Sequence, residues 1–268
     1  MRALVVSAHP DDIEFGCAGT VAVWSDAGDE VTYCIVSDGS TGTQDRDVIG
    51  ERLAAIRREE SRRAAAVVGV RDIVWLGYRD GYIEYTLDLR RDLARVFRER
   101  RPHRYVVLDP TPTIEDRFVN HPDHRAVGQA SLDVTLTAGT TPGHFPELLD
   151  EGLDPWRGLR ELWIMGPGAR PVAVDISTTI DRKIEALVCH ASQVGDDSER
   201  IAAWMRDWTG KAGAPHGYAH AETFQVTSQG PGFHDEDVAD DADARLARPP
   251  ADPASAPVRR SATGSTGR

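Results

Sequence analysis

The sequence predicts an α/β fold with a doubly wound, mostly parallel, Rossmann-like sheet, and three observations support this. Short apolar strands alternate with helical segments from the N-terminus to about residue 227. The strands are short and mostly apolar, which is typical of parallel strands covered on both faces. Two clusters of His and Asp follow predicted strands, at the edge where open α/β sheets bind ligands.

The elements follow in order from short apolar runs, helical periodicity and turn residues. The predicted strands cover residues 2–8, 30–37, 72–76, 104–108, 161–165, 171–175 and 223–227. The predicted helices cover residues 15–28, 49–68, 86–101, 121–138, 177–193 and 197–209. Gly28 ends the first helix, since glycine favours the position after a helix C-terminus. Residues 139–160 are rich in Gly and Pro, so we expect a loop there, one that shapes the pocket.

The chain divides into one folded domain, residues 1–233, and a tail, residues 234–268. The tail carries only three sizeable aliphatic residues, which lie among Asp, Ala, Pro, Ser, Gly and Arg: Val238, Leu246 and Val258. Such a segment buries too little apolar surface to offset the entropy lost on ordering. The sequence therefore predicts that the tail is disordered.

Composition and charge exclude several classes of protein. The net charge of −12 disfavours nucleic acid as a partner. The sequence holds no apolar run near the ~20 residues that cross a bilayer, and its start lacks the apolar core of a secretory signal. The three cysteines, Cys17, Cys34 and Cys189, have spacings that fit neither a disulfide framework nor a CxxC metal site. We expect a cytoplasmic protein without membrane insertion.

The first polar cluster follows the first predicted strand and contains His9, Asp11 and Asp12. A dinucleotide-binding fold places glycines here, so that backbone amides approach a pyrophosphate. Carboxylates would repel phosphate, which disfavours nucleotide binding. A histidine, an aspartate and a second histidine elsewhere are a workable set of zinc ligands, and a catalytic zinc keeps a fourth position for water.

The second cluster contains His121, Asp123 and His124. If this segment opens a helix, the two histidines stand three residues apart and share a face. Each cluster alone also has a simpler explanation. The first could be a turn that caps a helix, and the second could be a His-x-x-His pair that binds no metal. Two such clusters at strand ends of one sheet favour a metal site.

These segments resemble a known family. The residues from Ala8 to Glu14 (AHPDDIE) resemble the AHPDDxE signature of the LmbE-like, or PIG-L, zinc N-deacetylases, which include N-acetylglucosamine deacetylases. The residues from His121 to His124 (HPDH) resemble the second signature, H-x-D-H. Weaker similarities occur at Ser37-Asp38-Gly39, Arg57–Glu60, Val68–Val70, Asp80-Gly81 and His190–Gln193. The resemblance covers about residues 1–227, with departures at Ala18 and Asn120, where glycine is usual.

The resemblance implies a role for each site residue. The implied zinc ligands are His9, Asp12 and His124. Asp11 would be the general base, His121 would stabilise or protonate the tetrahedral intermediate, and Asp123 would orient His121. Physical chemistry agrees with the division between neighbouring aspartates, because an unligated carboxylate can take a proton from a metal-activated water. Zinc is the expected cofactor and ferrous iron the alternative.

Arg57 is the candidate substrate-binding residue. The helix 49–68 has an apolar stripe, and Glu60 falls within it while Arg57 lies at its edge, one turn earlier. A buried carboxylate needs a partner, so we hypothesise that Glu60 orients Arg57 toward the pocket. The family places a substrate-contacting arginine in the matching motif. The alternative is an ion pair on the helix surface.

The sequence thus predicts a metal-dependent hydrolase that removes an acetyl or other acyl group from a small amino-sugar-like or natural-product substrate. One alternative keeps the metal and cleaves the amide of a thiol–sugar conjugate, or an ester. Another is a non-catalytic carbohydrate-binding α/β protein. Members of the resembled family are often oligomeric, so we expect a homo-oligomer.

Overall fold

The computed structural model describes residues 1–115 and 118–228, so the predicted tail, residues 234–268, lies outside the described residues. The strands are β1 (Arg2–Ser7), β2 (Glu30–Ser37), β3 (Asp72–Tyr78), β4 (Arg104–Val107), β5 (Ile114–Glu115), β6 (Phe118–Val119), β7 (Glu161–Met165), β8 (Val172–Asp175) and β9 (Ala221–Ser228). In this part of the chain, seven strands form one sheet in the order β3-β2-β1-β4-β7-β9-β8. Strands β5 and β6 form a separate hairpin.

Helices flank the sheet. They are α1 (Asp12–Gly16), α2 (Ala18–Asp26), α3 (Glu51–Val67), α4 (Leu87–Arg100), α5 (Pro122–Asp133), α6 (Glu147–Asp150), α7 (Ile180–Val188), α8 (Ala191–Val194) and α9 (Ser198–Gly213). A π-helical turn (Val134–Ala138) follows α5, and a 3-10 turn (Ala214–His216) follows α9. No helix in the described ranges is long and apolar enough to cross a membrane.

The order of the strands creates a crevice between β1 and β4. Strands β3, β2, β1, β4 and β7 are parallel, whereas β9 runs antiparallel to its neighbours β7 and β8. The chain passes from β1 to β2 and β3 on one side and later adds β4 on the other side of β1. Loops leave β1 and β4 in opposite directions at their carboxyl ends, which is where α/β sheets bind ligands. The mixed sheet confirms the predicted α/β class.

Two differences from the predicted elements concern helices that begin or break unexpectedly. The predicted helix 15–28 begins at Asp12 and is interrupted at Cys17, between α1 and α2. The predicted helix 177–193 is likewise split, because α7 ends at Val188 and α8 begins at Ala191. Hydrophobic periodicity is unchanged across such breaks, so it could not reveal them.

The loop 139–160 lies at the amino edge of the sheet. The indole Nε1 of Trp156 donates to the carbonyl of Pro102 at 2.7 Å, and the N–H of Arg160 donates to the carbonyl of His103 at 2.8 Å. Both acceptors immediately precede β4, so this loop is anchored at the edge opposite the crevice. The prediction that it shapes the pocket is therefore wrong.

Candidate metal centre

The turn after β1 fixes the carboxylate of Asp12. The backbone of Asp11 has φ 104°, in the left-handed region that non-glycine residues rarely adopt. In this conformation the N–H groups of Ala8 and His9 donate to Asp12 Oδ2 at 3.0 and 2.8 Å. The other oxygen, Asp12 Oδ1, lies 3.0 Å from His124 Nε2. The turn thus directs one carboxylate oxygen toward the first turn of α5.

His9, Asp12 and His124, the three predicted ligands, come together in the crevice. His9 Nδ1 lies 3.1 Å from His124 Nε2 and 3.6 Å from Asp12 Oδ2, and one donor atom from each residue lies within 4.8 Å of the others. His9 is buried. Two imidazole nitrogens and a carboxylate that face one another fit a divalent cation with three protein ligands. The donor set therefore suits zinc or ferrous iron.

The far nitrogen of His9 contacts two more carboxylates. His9 Nε2 lies 3.2 Å from Asp123 Oδ2 and 3.3 Å from Asp80 Oδ1. Burial lowers the pKa of His9, but the surrounding carboxylates outweigh burial and raise it to about 12. A carboxylate on the second nitrogen of a ligating histidine fixes the ring and increases its basicity. Asp80 and Asp123 are placed to hold His9 in this way.

A second group of possible ligands consists of His9, His121 and Asp123, and it shares His9 with the first. The two groups use opposite nitrogens of the His9 ring. The carboxylate of Asp123 already accepts the N–H groups of Gly81 at 2.8 Å and Ile83 at 3.3 Å. Asp123 therefore fits an orienting role better than a ligand role, and the first group is the better candidate for holding a metal.

His121 stands at the N-cap of α5 with an exposed side chain. Its Nδ1 accepts the backbone N–H of Asp123 at 3.2 Å, whereas the Asp123 carboxylate lies 3.9 Å away. The backbone amide of Asp123 thus orients this ring. Burial, and then the charge of His9, lower the pKa of His121. Because Nδ1 accepts the N–H of Asp123, a neutral ring carries its proton on Nε2.

Arg57 contacts the candidate base. Its guanidinium is buried, donates to the carbonyls of Pro10 at 2.5 Å and Gly39 at 3.2 Å, and lies 3.4 Å from Asp11 Oδ1. It also lies 3.6 Å from Asp80 Oδ2. Burial raises the pKa of Asp11 to about 7, although the charge of Arg57 acts in the opposite direction. Arg57 is thus placed to orient Asp11.

The prediction that Glu60 is the partner of Arg57 is wrong. Glu60 is buried as predicted, but its carboxylate accepts the N–H of Ser192 at 2.8 Å and the Ser192 hydroxyl at 2.6 Å. Glu60 therefore ties α8 to α3. The apolar stripe located the buried carboxylate but held no information about which later segment would reach it.

Two further groups near the site were missed or misplaced by sequence reasoning. In the sequence, Asp80 shows only a weak similarity to the family. Its position between His9 and Arg57 depends on the loop after β3. His190, which begins another of the weaker similarities, is fully buried, with Nε2 3.2 Å from Glu14 Oε2. A histidine at a helix end gives no sequence signal of such burial.

The fold and this cluster define an α/β protein whose candidate metal centre lies at the switch point of its sheet. Residues 4–135 match the family model described as PIG-L, GlcNAc-PI de-N-acetylase. The chain is 34% identical over 196 residues to the diacetylchitobiose deacetylase of Thermococcus kodakarensis. The alignment covers 73% of this chain and 71% of that protein. The chain therefore belongs to this family of deacetylases.

Solved structures agree with that assignment. The N,N'-diacetylchitobiose deacetylase of Pyrococcus horikoshii, solved with an inhibitor, is 32% identical with a TM-score of 0.78, covering 84% of this chain and 83% of that chain. A 4-carboxy-2-hydroxymuconate hydratase from Pseudomonas putida is 21% identical with a TM-score of 0.68, covering 86% of this chain and 97% of that chain. At this identity the likeness to the hydratase shows the fold alone, and the fold does not identify the reaction.

Proposed function

We propose that this enzyme removes the acetyl group from the nitrogen of a small N-acetylated amino sugar, with a divalent metal held by His9, Asp12 and His124. The observation that carries the proposal is the convergence of these three side chains beside an unligated carboxylate, Asp11. Relatives that act on diacetylchitobiose support the class of substrate. When bound, the metal supplies Lewis-acid polarisation of the amide carbonyl and lowers the pKa of water.

Asp11 is the general base of the proposed reaction. Its neighbour Asp12 is committed to the ligand set, whereas the contact of Asp11 Oδ1 is the Arg57 guanidinium. Asp11 accepts the proton of the attacking water at a carboxylate oxygen, and the same oxygen is suited to return it to the leaving amine. A base with a pKa near neutrality performs both transfers efficiently.

His121 stabilises the negative charge that develops on the carbonyl oxygen. Its Nδ1 is occupied by the backbone N–H of Asp123, so the neutral ring presents Nε2–H as a donor. A donor in a fixed position stabilises an oxyanion without reorganising, and the loss of one such donor typically costs about 3–4 kcal/mol.

A panel of substrates tests the proposal. Metal-loaded protein would be assayed for release of acetate and free amine from N-acetylglucosamine, N,N'-diacetylchitobiose, and inositol or malate conjugates of N-acetylglucosamine. We expect hydrolysis of at least one of them, loss of hydrolysis on removal of the metal, and recovery when zinc or ferrous iron is added back.

The same panel separates the alternatives. A thiol–sugar conjugate as the only compound cleaved would favour the amidase. Binding of the sugars without release of acetate, by protein that contains metal, would contradict the deacetylase and favour a carbohydrate-binding protein.

Replacing Arg57 with methionine is expected to lower kcat about 10- to 100-fold. The guanidinium contacts Asp11 and lowers its pKa, so its loss also shifts the acid limb of the kcat profile to higher pH. Initial rates between about pH 5 and 9 measure both effects. The control is Arg62→Met, because Arg62 forms an exposed ion pair with Glu59 on the same helix. A rise in KM alone would instead support the direct substrate contact that the family resemblance implies.

A further inference from the structure

The helix that carries the catalytic aspartates is broken one turn after them. Helix α1 ends at Gly16 and α2 begins at Ala18, with φ −150° at Cys17 between them. In a continuous helix the N–H of Gly19 would donate to the carbonyl of Phe15. Across this break both groups need other partners, because buried backbone polar groups are costly when unpaired.

A buried ion pair from distant parts of the chain supplies those partners. The ammonium of Lys183, on α7, donates to the carbonyls of Glu14 at 2.8 Å and Phe15 at 2.7 Å. The carboxylate of Glu222, on β9, accepts the N–H groups of Gly19 at 3.0 Å and Thr20 at 2.7 Å. Lys183 Nζ lies 2.6 Å from Glu222 Oε1. The ion pair is thus inserted between the two halves of the helix.

The residue types match the requirement. Three acceptors surround Lys183 Nζ, which equals the number of donors on an ammonium group. The chain contains 29 arginines and two lysines, and Lys183 is fully buried. A planar guanidinium cannot direct three donors from one atom. A chain that uses arginine almost everywhere therefore has lysine at this point.

The broken helix is also tightly packed. A Cβ atom on Gly16 would lie 2.6 Å from the sulfur of Met165, and one on Gly19 would lie 2.8 Å from Ile176 Cδ1. The segments on both sides of the break therefore have little freedom to shift. Asp12 is the first residue of α1, so the direction of this short helix, together with the turn that precedes it, determines where its carboxylate points.

We propose that Lys183 and Glu222 are positioning residues for the metal centre. They hold α1 at the angle that lets Asp12 meet His9 and His124 and keeps Asp11 beside them. The inference rests on the metal centre of the proposed function, but it concerns metal affinity and needs no particular substrate. A merely structural ion pair would lower the stability of the fold and leave the affinity for metal unchanged.

The experiment is the double variant Lys183→Met/Glu222→Gln in the full-length protein. It removes both charges, so neither is left buried without a partner. The Kd for zinc would be measured by competition with a chromophoric chelator, and unfolding by urea. We expect the Kd to rise at least about tenfold, as for other residues that support metal ligands. Where a substrate is hydrolysed, kcat should fall more than KM changes.

The matched control is Arg104→Met/Glu161→Gln. Arg104 Nε lies 3.0 Å from Glu161 Oε2 in a largely buried ion pair at the amino edge of the sheet, far from the crevice. Arg104 also pairs with Asp29, which keeps the N-terminal ammonium as a partner in this variant. We expect this variant to lose stability and keep its affinity for zinc.

Three outcomes would overturn the proposal. One is a Kd for zinc within about twofold of the wild-type value in the folded double variant. The second is an equal loss of affinity in the control. If the double variant does not fold, the single variant Glu222→Gln decides, because it keeps the shape of the side chain and removes one acceptor. We expect an intermediate rise in the Kd of this single variant for zinc. A Kd equal to the wild-type value is the third outcome that would overturn the proposal.

Discussion

Replacing Asp11 with asparagine is expected to lower kcat about a thousandfold while the protein still binds one metal ion. Asparagine keeps the size of the side chain but cannot accept the proton. Replacing Asp12 with asparagine is expected to abolish both turnover and stoichiometric metal, since Asp12 is one of the three proposed ligands. Metal content by elemental analysis and kcat on a hydrolysed substrate measure these effects.

The informative result is the difference in metal content between the Asp11 and Asp12 variants. Asp88→Asn is a suitable control, since Asp88 is an exposed carboxylate in the first turn of α4. Its variant should match the wild-type protein in both measurements. Loss of metal from the Asp11 variant but not from the Asp12 variant would mean that the two roles are exchanged. Near-native turnover in the Asp11 variant would remove the proposed base.

The sequence predicted which segments meet at the metal centre because the argument needed only local information. Short apolar strands followed by polar clusters identify the carboxyl edge of a parallel sheet. The pairing of β1 with β4 then brings His9 close to His124 despite their separation in the chain. No exact helix boundary was needed, so the error at the start of the first helix did no harm.

The partners of the site residues could not be predicted in the same way. Which oxygen of Asp12 is turned toward His124 depends on the unusual φ of Asp11. Whether Asp123 contacts His9 or His121 depends on the loop after β3, whose amides at Gly81 and Ile83 hold its carboxylate. The contacts of the Asp123 carboxylate with Gly81 and Ile83 join residues 40 or more positions apart and leave no periodic signal.

The prediction that the loop 139–160 shapes the pocket was wrong for a similar reason. Glycine and proline identify a loop but do not say at which edge of the sheet it packs. The expected homo-oligomer and cytoplasmic location stay predictions, since neither follows from the described contacts.

Replacing Arg98 should destabilise the fold strongly. Its guanidinium is buried near the end of α4 and donates to four carbonyls, those of Ala138, Thr141, His144 and Leu153. Within the described residues no carboxylate pairs with it, so the carbonyls alone satisfy it. Arg98→Met would leave these acceptors without a donor, at about 1–3 kcal/mol for each buried group left unpaired.

We therefore expect Arg98→Met to lower the free energy of unfolding by about 4 kcal/mol and Tm by about 10 °C. Urea and thermal unfolding measure both. Arg95→Met is the control, because Arg95 forms a partly exposed ion pair with Glu151 of the same loop, an interaction of about 1 kcal/mol at most. Since the loop is anchored at the amino edge, kcat and KM of folded Arg98→Met should equal the wild-type values. A tenfold change in KM would show that this loop reaches the substrate after all.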